Sequence, residues 1–158
     1  MDEKPETGHT HRKAQPGYRW ENVELRPYKE DERALFRSIT RQILFSDPDL
    51  HGELRYFDIA AGGFSTLERH EHMHAVVILR GRGTCLIGHD VKEIGPHDLV
   101  TVPRLTWHQF RASADEPLGF LCMVNAERDK PQLPSTDDIA RMNKNPGVAA
   151  FLSDKPRA

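Results

Sequence analysis

Between residues 75 and 125 the chain is divided into short apolar, β-branched segments, and turn residues separate most of them. The segments are AVVILRG, GTCLIG, VKEIG, DLVTVP, WHQFRA and LGFLCMVN. Segments this short, this regularly interrupted and this rich in β-branched residues are typical of an antiparallel barrel or sandwich rather than of strands that alternate with helices. We therefore predict an all-β fold.

Two further segments extend this pattern toward the amino terminus. LRYFDIAAGG, at 54–63, reads as a strand that ends on paired glycines. ALFRSITRQILF, at 34–45, fits either strand structure or an amphipathic helix, and its β-branched and aromatic residues favour strand.

The carboxyl end carries a helix signal. Ser135, followed three residues later by Asp138, resembles a capping arrangement that opens a short helix near 137–144. Asn, Pro and Gly at 145–147 are expected to end that helix. The apolar VAAFL at 148–152 is then expected to pack on the barrel or on a second subunit.

Length and charge limit the kind of protein. The 158 residues suit one domain, which we divide into a flexible tail at 1–17, a barrel at 18–128 and a loop with a short helix at 129–158. A formal charge of −2 gives no attraction toward nucleic acid. No run approaches the roughly 20 apolar residues that cross a bilayer, and the charged amino terminus differs from a signal peptide. We expect a cytoplasmic protein whose partner is a small molecule, with no nucleic-acid or membrane partner.

The two cysteines lie inside strand-like segments. Cys85 is in GTCLIG and Cys122 is in LGFLCMVN. This placement indicates reduced, buried thiols rather than a disulfide framework.

Histidine and glutamate cluster at one place in the sequence. Glu68, His70, His72 and His74 alternate along a few residues, and imidazole together with carboxylate suits borderline divalent ions. In a strand, alternate side chains share a face, so Glu68 and His70 can point together into a barrel, and a turn lets His74 converge from the next strand. If the strand continued straight, His72 would take the place of Glu68, and a three-histidine site is a further alternative.

These residues resemble the first motif of the cupin superfamily, which is Gly, five residues, His-x-His, three or four residues, Glu, six residues, Gly. Here the register is Gly62, five residues, Glu68-x-His70, three residues, His74, six residues, Gly81. Glu68 stands where the family has its first histidine, and His74 stands where it has glutamate.

The second cupin motif is Gly, five residues, Pro-x-Gly, two residues, His, three residues, Asn. His97, Pro103 and His108 occupy its frame here, although both glycines and the asparagine are replaced. His108 then completes the ligand set with Glu68, His70 and His74. The sequence is also similar to the small manganese-binding cupins of thermophilic bacteria, whose ligands are four histidines.

The resemblance implies a double-stranded β-helix, or jelly-roll, barrel around one divalent transition metal ion (Mn, Fe, Ni, Cu or Zn). An ion with open positions permits a dioxygenase-type oxidoreductase acting on a small oxygen-chelating substrate, with Glu68 as ligand and proton acceptor and Phe110 lining the substrate pocket. A redox-neutral isomerase or lyase, and a non-catalytic metal- or small-molecule-binding module, are the alternatives. Because small cupins commonly pair through strands, we expect a homodimer.

Overall fold

The computed structural model describes residues 11–28 and 37–154. Within these ranges the chain forms eleven strands and two helices. In chain order they are β1 Ala14–Gln15, β2 Arg19–Trp20, β3 Arg26–Pro27, β4 Arg37–Asp47, β5 Gly52–Phe64, β6 His74–Arg80, β7 Gly83–Ile87, β8 Asp90–Ile94, β9 Leu99–Val102, β10 His108–Ala112, β11 Leu118–Asn125, α1 Thr136–Met142 and α2 Pro146–Ser153.

Nine strands build one antiparallel sheet. Its main order is β8-β7-β10-β5-β11-β6-β9, with β4 paired to β5 and β3 paired to β4. The sheet curls into a half-barrel, and its inner apolar side chains pack into one buried cluster that includes Ile59, Val76, Ile78 and Leu118. The predicted all-β fold is confirmed, and each segment identified between 75 and 125 is a strand. Short runs bounded by turns were sufficient to identify them because each run has the length of one strand.

The ambiguous segment at 34–45 is strand in its described part. β4 pairs with β5 in register, with Arg41 opposite Phe57 and Thr40 opposite Asp58. Ile39 is buried in the main core, whereas Ile43, on the same face nearer the end of the strand, and Phe45, beyond a bulge, are exposed. Residues 34–36 lie outside the described residues.

The two cysteines are free thiols, as predicted. Cys85 and Cys122 are both buried, and both belong to the main apolar cluster. They lie on different strands, β7 and β11.

The helix signal at Ser135 is confirmed, and α1 ends before Asn145 as predicted, but the sequence analysis missed a second helix. Ser135 caps α1 through a capping box with Asp138. Asn145 caps the second helix: its side chain accepts hydrogen bonds from the backbone N–H of Gly147 and Val148, and Pro146 follows at the start of α2. Asn at the cap with Pro at the first helical position is a start signal, because neither residue needs an intrahelical N–H bond there.

α2 covers the outside of the barrel. Val148 and Phe151 are buried in a second apolar cluster with Leu86 and Met142, so the VAAFL segment packs back on its own barrel. Arg111 on β10 donates to the backbone oxygen of Phe151 at 2.7 Å, which fixes the carboxyl end of the helix.

The amino-terminal part is only partly described. Residues 1–10 of the predicted tail at 1–17 lie outside the described residues, while 11–17 include β1, which pairs with β2. Gly17 in the intervening turn has φ +79, a conformation that glycine adopts without strain. In the described ranges no helix is both long and apolar enough to span a membrane.

Candidate metal centre

The half-barrel encloses a cavity of about 440 Å³. This volume lies in the range of small-molecule sites. Its wall combines aromatic rings with histidines, arginines, two acidic residues and one thiol, so that apolar and polar surface lie side by side. Such a surface suits a small polar molecule that must be oriented as well as enclosed.

Three histidines meet on this wall. One ring nitrogen from each of His70, His74 and His108 lies within 4.8 Å of the others. Their ring centroids are 5.1 Å apart for His70 and His74, 4.8 Å for His70 and His108, and 5.1 Å for His74 and His108. Bonds of roughly 2.1 Å to one ion would place these nitrogens roughly 3 to 3.5 Å apart, so the rings would turn toward one another when an ion binds.

Backbone carbonyls orient two of these rings. Nδ1 of His70 lies 2.7 Å from the carbonyl oxygen of His72, and Nδ1 of His108 lies 2.9 Å from that of Thr106. Because a carbonyl oxygen only accepts, each Nδ1 carries the hydrogen and donates it. Nε2 of each ring therefore keeps its lone pair, which is the usual arrangement for a metal-binding histidine.

The third ring leaves a polar atom unsatisfied. Nε2 of His74 is buried and has no hydrogen-bond partner among the described residues, and its Nδ1 lies 3.3 Å from Sγ of Cys122. A buried nitrogen without a partner is costly unless something else occupies its lone pair. Together with two preoriented Nε2 atoms, it makes the site suitable for a divalent ion.

The three imidazoles are held neutral. Burial lowers the pKa of His70 below its ordinary value, lowers that of His74 to about 2 and lowers that of His108 to about 4. Neighbouring imidazoles lower the pKa of each further. A ligand histidine must be neutral, so the folded chain is ready to bind an ion at neutral pH.

The loop that carries His70 is fixed by Asp129, a residue that no sequence pattern identifies. Asp129 follows β11 and accepts hydrogen bonds from the backbone N–H of Glu71 at 2.8 Å and of His72 at 3.1 Å. These bonds, led by that of Glu71, hold the pKa of Asp129 well below its ordinary value. A lone aspartate in a loop carries no spacing signal, because its partners lie far away in the sequence.

Glu68 and His72, the two competing candidates for a fourth ligand, lie on the same cavity wall. Glu68 forms an isolated bridge with His108 rather than part of a strand. The ring of His72 stacks on His70 with centroids 3.6 Å apart, and its Nδ1 lies 2.7 Å from Asp129. Neither residue belongs to the group of three among the described residues, so the ligand roles of both stay predictions.

Phe110, assigned to the substrate pocket from the sequence, lies on the cavity wall. Its ring stacks on Phe120 with centroids 5.1 Å apart, and Phe120 stacks on Phe57 at 5.6 Å. These rings form an apolar surface inside the half-barrel. The structure thus brings Phe110 into one cavity with the histidines.

A curled antiparallel half-barrel with three neutral histidines on its inner wall is the architecture of a metal-binding cupin. The cupin domain family matches residues 55–124. A cupin 2 conserved barrel domain protein from Rhodopseudomonas palustris is 49% identical with a TM-score of 0.85, over 90% of this chain and 98% of that one. A cupin-2 domain structure from Rhodospirillum rubrum is 58% identical with a TM-score of 0.82, over 90% and 96%. The chain belongs to the cupin family.

One relative has a named activity. The 1-methylthio-D-xylulose 5-phosphate methylsulfurylase of Rhodospirillum rubrum is 60% identical over 138 residues, which is 87% of this chain and 88% of the relative. The histidine group and the family support the predicted metal-binding cupin. They do not indicate a dioxygenase, so the oxygen-dependent reaction stays a prediction.

Proposed function

We propose that this chain removes the methylthio group from a 1-methylthio ketose phosphate, as the name of its Rhodospirillum rubrum relative indicates for that protein. The observation that carries the proposal is a thiol at the metal centre: Sγ of Cys122 lies 3.3 Å from Nδ1 of His74. Cys122 also lines the cavity. A thiol is a suitable acceptor for a sulfur-bonded group because sulfur–sulfur exchange proceeds by direct thiolate attack.

The substrate's chemistry favours attack at sulfur. In a 1-methylthio-2-ketose the carbon that bears sulfur is adjacent to the ketone. When the carbon–sulfur bond breaks, the electron pair left on C1 is delocalised onto the ketone oxygen as an enolate. The leaving group is therefore stabilised wherever the site stabilises an oxyanion.

Two donors converge on the Cys122 sulfur. With Nε2 of His74 turned to an ion, its Nδ1 carries the hydrogen and donates toward Sγ. From the other side Nη2 of Arg55 lies 3.7 Å from Sγ. Burial raises the pKa of the Cys122 thiol, and Arg55 opposes this effect. Both donors favour the thiolate, which is the nucleophilic form.

The proposed reaction balances without dioxygen. The Cys122 thiol first loses its proton to solvent; its Sγ then attacks the methylthio sulfur, forming a sulfur–sulfur bond while the bond between that sulfur and C1 breaks. The enolate takes a proton from solvent at C1 and leaves as the 1-deoxy ketose phosphate. A small-molecule thiol then reduces the methyl disulfide on Cys122, releasing the methylthio group as a mixed disulfide and regenerating the thiol.

The three histidines would stabilise the enolate oxyanion through the metal ion that they hold. His70, His74 and His108 would hold the divalent ion, which when bound supplies a Lewis acid next to Cys122. Phe110 and Phe120 line the same wall, and their apolar surface would strengthen the electrostatic interaction between the ion and the oxyanion.

The decisive variant is Cys122→Ser, with Cys85→Ser as a matched control. Cys85 is another buried thiol but is absent from the cavity lining. With 1-methylthio-D-xylulose 5-phosphate and a thiol reductant, we expect Cys122→Ser to lower turnover by about 10³-fold or more at unchanged metal content, while Cys85→Ser retains activity. Without reductant, mass spectrometry of the wild type should show one methylthio group on the peptide that contains Cys122.

The same assay can also contradict the proposed function. Full activity of Cys122→Ser would exclude thiol attack, and failure of the metal-loaded wild type to release the methylthio group would exclude the reaction itself. Running the assay with and without dioxygen tests the dioxygenase prediction, since only that reaction requires the gas.

A further inference from the structure

Three arginines lie together on the cavity wall, and the chemistry described so far assigns a role to only one of them. They are Arg41 on β4, Arg55 on β5 and Arg128 in the loop after β11, and all three line the cavity. Arg41 stands opposite Phe57, two residues from Arg55 along β5, so Arg41 and Arg55 lie on the same face of the sheet.

The positive charge of this group exceeds its counter-charge. Nε of Arg55 lies 3.7 Å from Oε1 of Glu53, and Nη1 of Arg128 lies 3.4 Å from the same oxygen. The single carboxylate of Glu53 therefore lies near two guanidinium groups, at distances longer than those of typical hydrogen bonds. The charge of Arg41 is added to theirs, and its pKa is lowered by burial and by the neighbouring Arg55.

The Arg55 guanidinium keeps one donor unsatisfied within the described part of the chain, although its Nη2 lies 3.7 Å from Sγ of Cys122. Its side chain is 8% exposed, and its Nε is buried without a hydrogen-bond partner among the described residues. A buried guanidinium donor without an acceptor is costly. An anion with several oxygens would accept from Arg55 and offset the repulsion among the three arginines.

Two acidic residues of the cavity wall lie on the histidine side. Asp129 accepts from the backbone N–H of Glu71 and His72. The backbone of Glu68 pairs with that of His108.

The position of the arginines matches the length of the proposed substrate. Cys122 stands directly opposite Arg55 on the neighbouring strand, and β5 alone separates Cys122 from Arg41. That separation combines two strand spacings with an offset of two residues along the strand, roughly 12 Å between Cα atoms. A five-carbon chain with sulfur at one end and phosphate at the other, together with the length of the arginine side chain, spans this distance when extended.

We infer that Arg41, Arg55 and Arg128 form a binding site for a phosphate monoester, which holds the phosphate of the substrate while its sulfur lies at Cys122. The inference rests on the proposed function for the identity of the molecule. The site itself rests on the arginines alone. Arginine is suited to this role because its planar fork donates two parallel hydrogen bonds to phosphate oxygens.

Inorganic phosphate is the probe, titrated calorimetrically into the full chain with its metal and again after chelation. We expect one phosphate per chain in both states, with affinity about tenfold weaker in Arg41→Gln. Arg141→Gln is the matched control, because Arg141 is a largely exposed arginine on α1 that pairs with Asp138. Its affinity should equal that of the wild type. Arg128→Gln should also weaken phosphate binding. Because the Arg128 side chain is more exposed than that of Arg55, this variant should fold even if Arg41→Gln does not, and the inference can still be tested.

Equal phosphate affinity in the wild type, Arg41→Gln and Arg128→Gln would overturn the inference, as would complete loss of binding on chelation, which would place the phosphate on the metal.

The two proposals fail separately. Phosphate binding without release of the methylthio group would remove the proposed function alone. Release of the methylthio group with an unchanged KM in Arg41→Gln would remove the phosphate site alone, since we expect that variant to raise KM more than it lowers kcat.

Discussion

At the scale of single residues, the chemistry of the centre depends on what each histidine does with its second ring nitrogen. His70 and His108 donate from Nδ1 to backbone carbonyls, whereas His74 directs Nδ1 toward the Cys122 sulfur. The rings of His70 and His108 are therefore oriented by the backbone. Only that of His74 links the candidate metal position to a reactive side chain.

The low pKa values of these imidazoles predict acid sensitivity of the metal-free protein. Their ordinary pKa is 6.5, and in the folded chain it falls to about 2 for His74 and about 4 for His108. Below pH 6.5 the unfolded chain therefore binds more protons than the folded chain, and the free energy of unfolding falls as pH falls. Urea unfolding of chelated protein should show lower stability at about pH 5 than at about pH 7.5.

A histidine variant checks the source of this slope. His108→Gln removes one contributor, so its stability should change less between the two pH values than that of the wild type. His89→Gln, which alters an exposed histidine, should keep the full slope. A slope unaffected by His108→Gln would contradict the assignment.

The sequence predicted the three histidines but not their supporting residues. His70, His74 and His108 were identifiable because the glycine-anchored spacing of a known family positions them. Asp129 and Arg55 were not, since a carboxylate and a guanidinium acquire their roles only from strands and loops that meet in the folded chain. The position of Cys122 inside an apolar segment predicts only a packed thiol, and no sequence pattern indicates that this thiol faces His74.

At the scale of elements, strands were predictable and their exact partners were not. β6 to β11 each correspond to one interrupted apolar run, because turn residues at the ends limit the length of a strand. The neighbours of β5 are β4, β10 and β11, and its pairings with β10 and β11 join residues distant in sequence. The proximity of Arg41, Arg55 and Cys122 depends on the pairing of three strands, and it could not be predicted from the sequence.

The Asn145 cap at the start of α2 gives a stability prediction. Asn145→Ala removes the side-chain oxygen that accepts from the N–H groups of Gly147 and Val148, and we expect it to lower the free energy of unfolding by about 1 kcal/mol. Asn145→Asp retains an acceptor and should stay close to the wild type. Urea midpoints measure both, and equal midpoints for Asn145→Ala and the wild type would contradict the cap.

At the scale of the whole molecule, an exposed apolar row on the outer face of the sheet supports the expected homodimer. Phe45 stands opposite Leu54, Leu54 opposite Met123, and Met123 opposite Ala75. Phe45 is 47% exposed and Met123 is 61% exposed. Adjacent exposed apolar side chains of this kind favour association.

We propose that this row is the dimer interface. Light scattering after size exclusion should give twice the chain mass for the wild type and one chain mass for Met123→Lys, because a buried lysine at the interface would lack a partner. Leu105→Lys, a similar change at an exposed leucine away from the row, should remain a dimer. A monomeric wild type, or a dimeric Met123→Lys, would contradict the proposal.

The proposed reaction requires that His70, His74 and His108 hold one divalent ion, and metal content measures this directly. After loading with manganese, iron, nickel, copper or zinc and exhaustive dialysis, elemental analysis should find one ion per wild-type chain and almost none in His70→Ala/His108→Ala. Glu68→Gln and His72→Ala in the same series distinguish the two candidates for a fourth ligand, since only the true ligand's loss should weaken retention. A wild type that retains none of these ions, or a double variant that retains them fully, would contradict the metal centre.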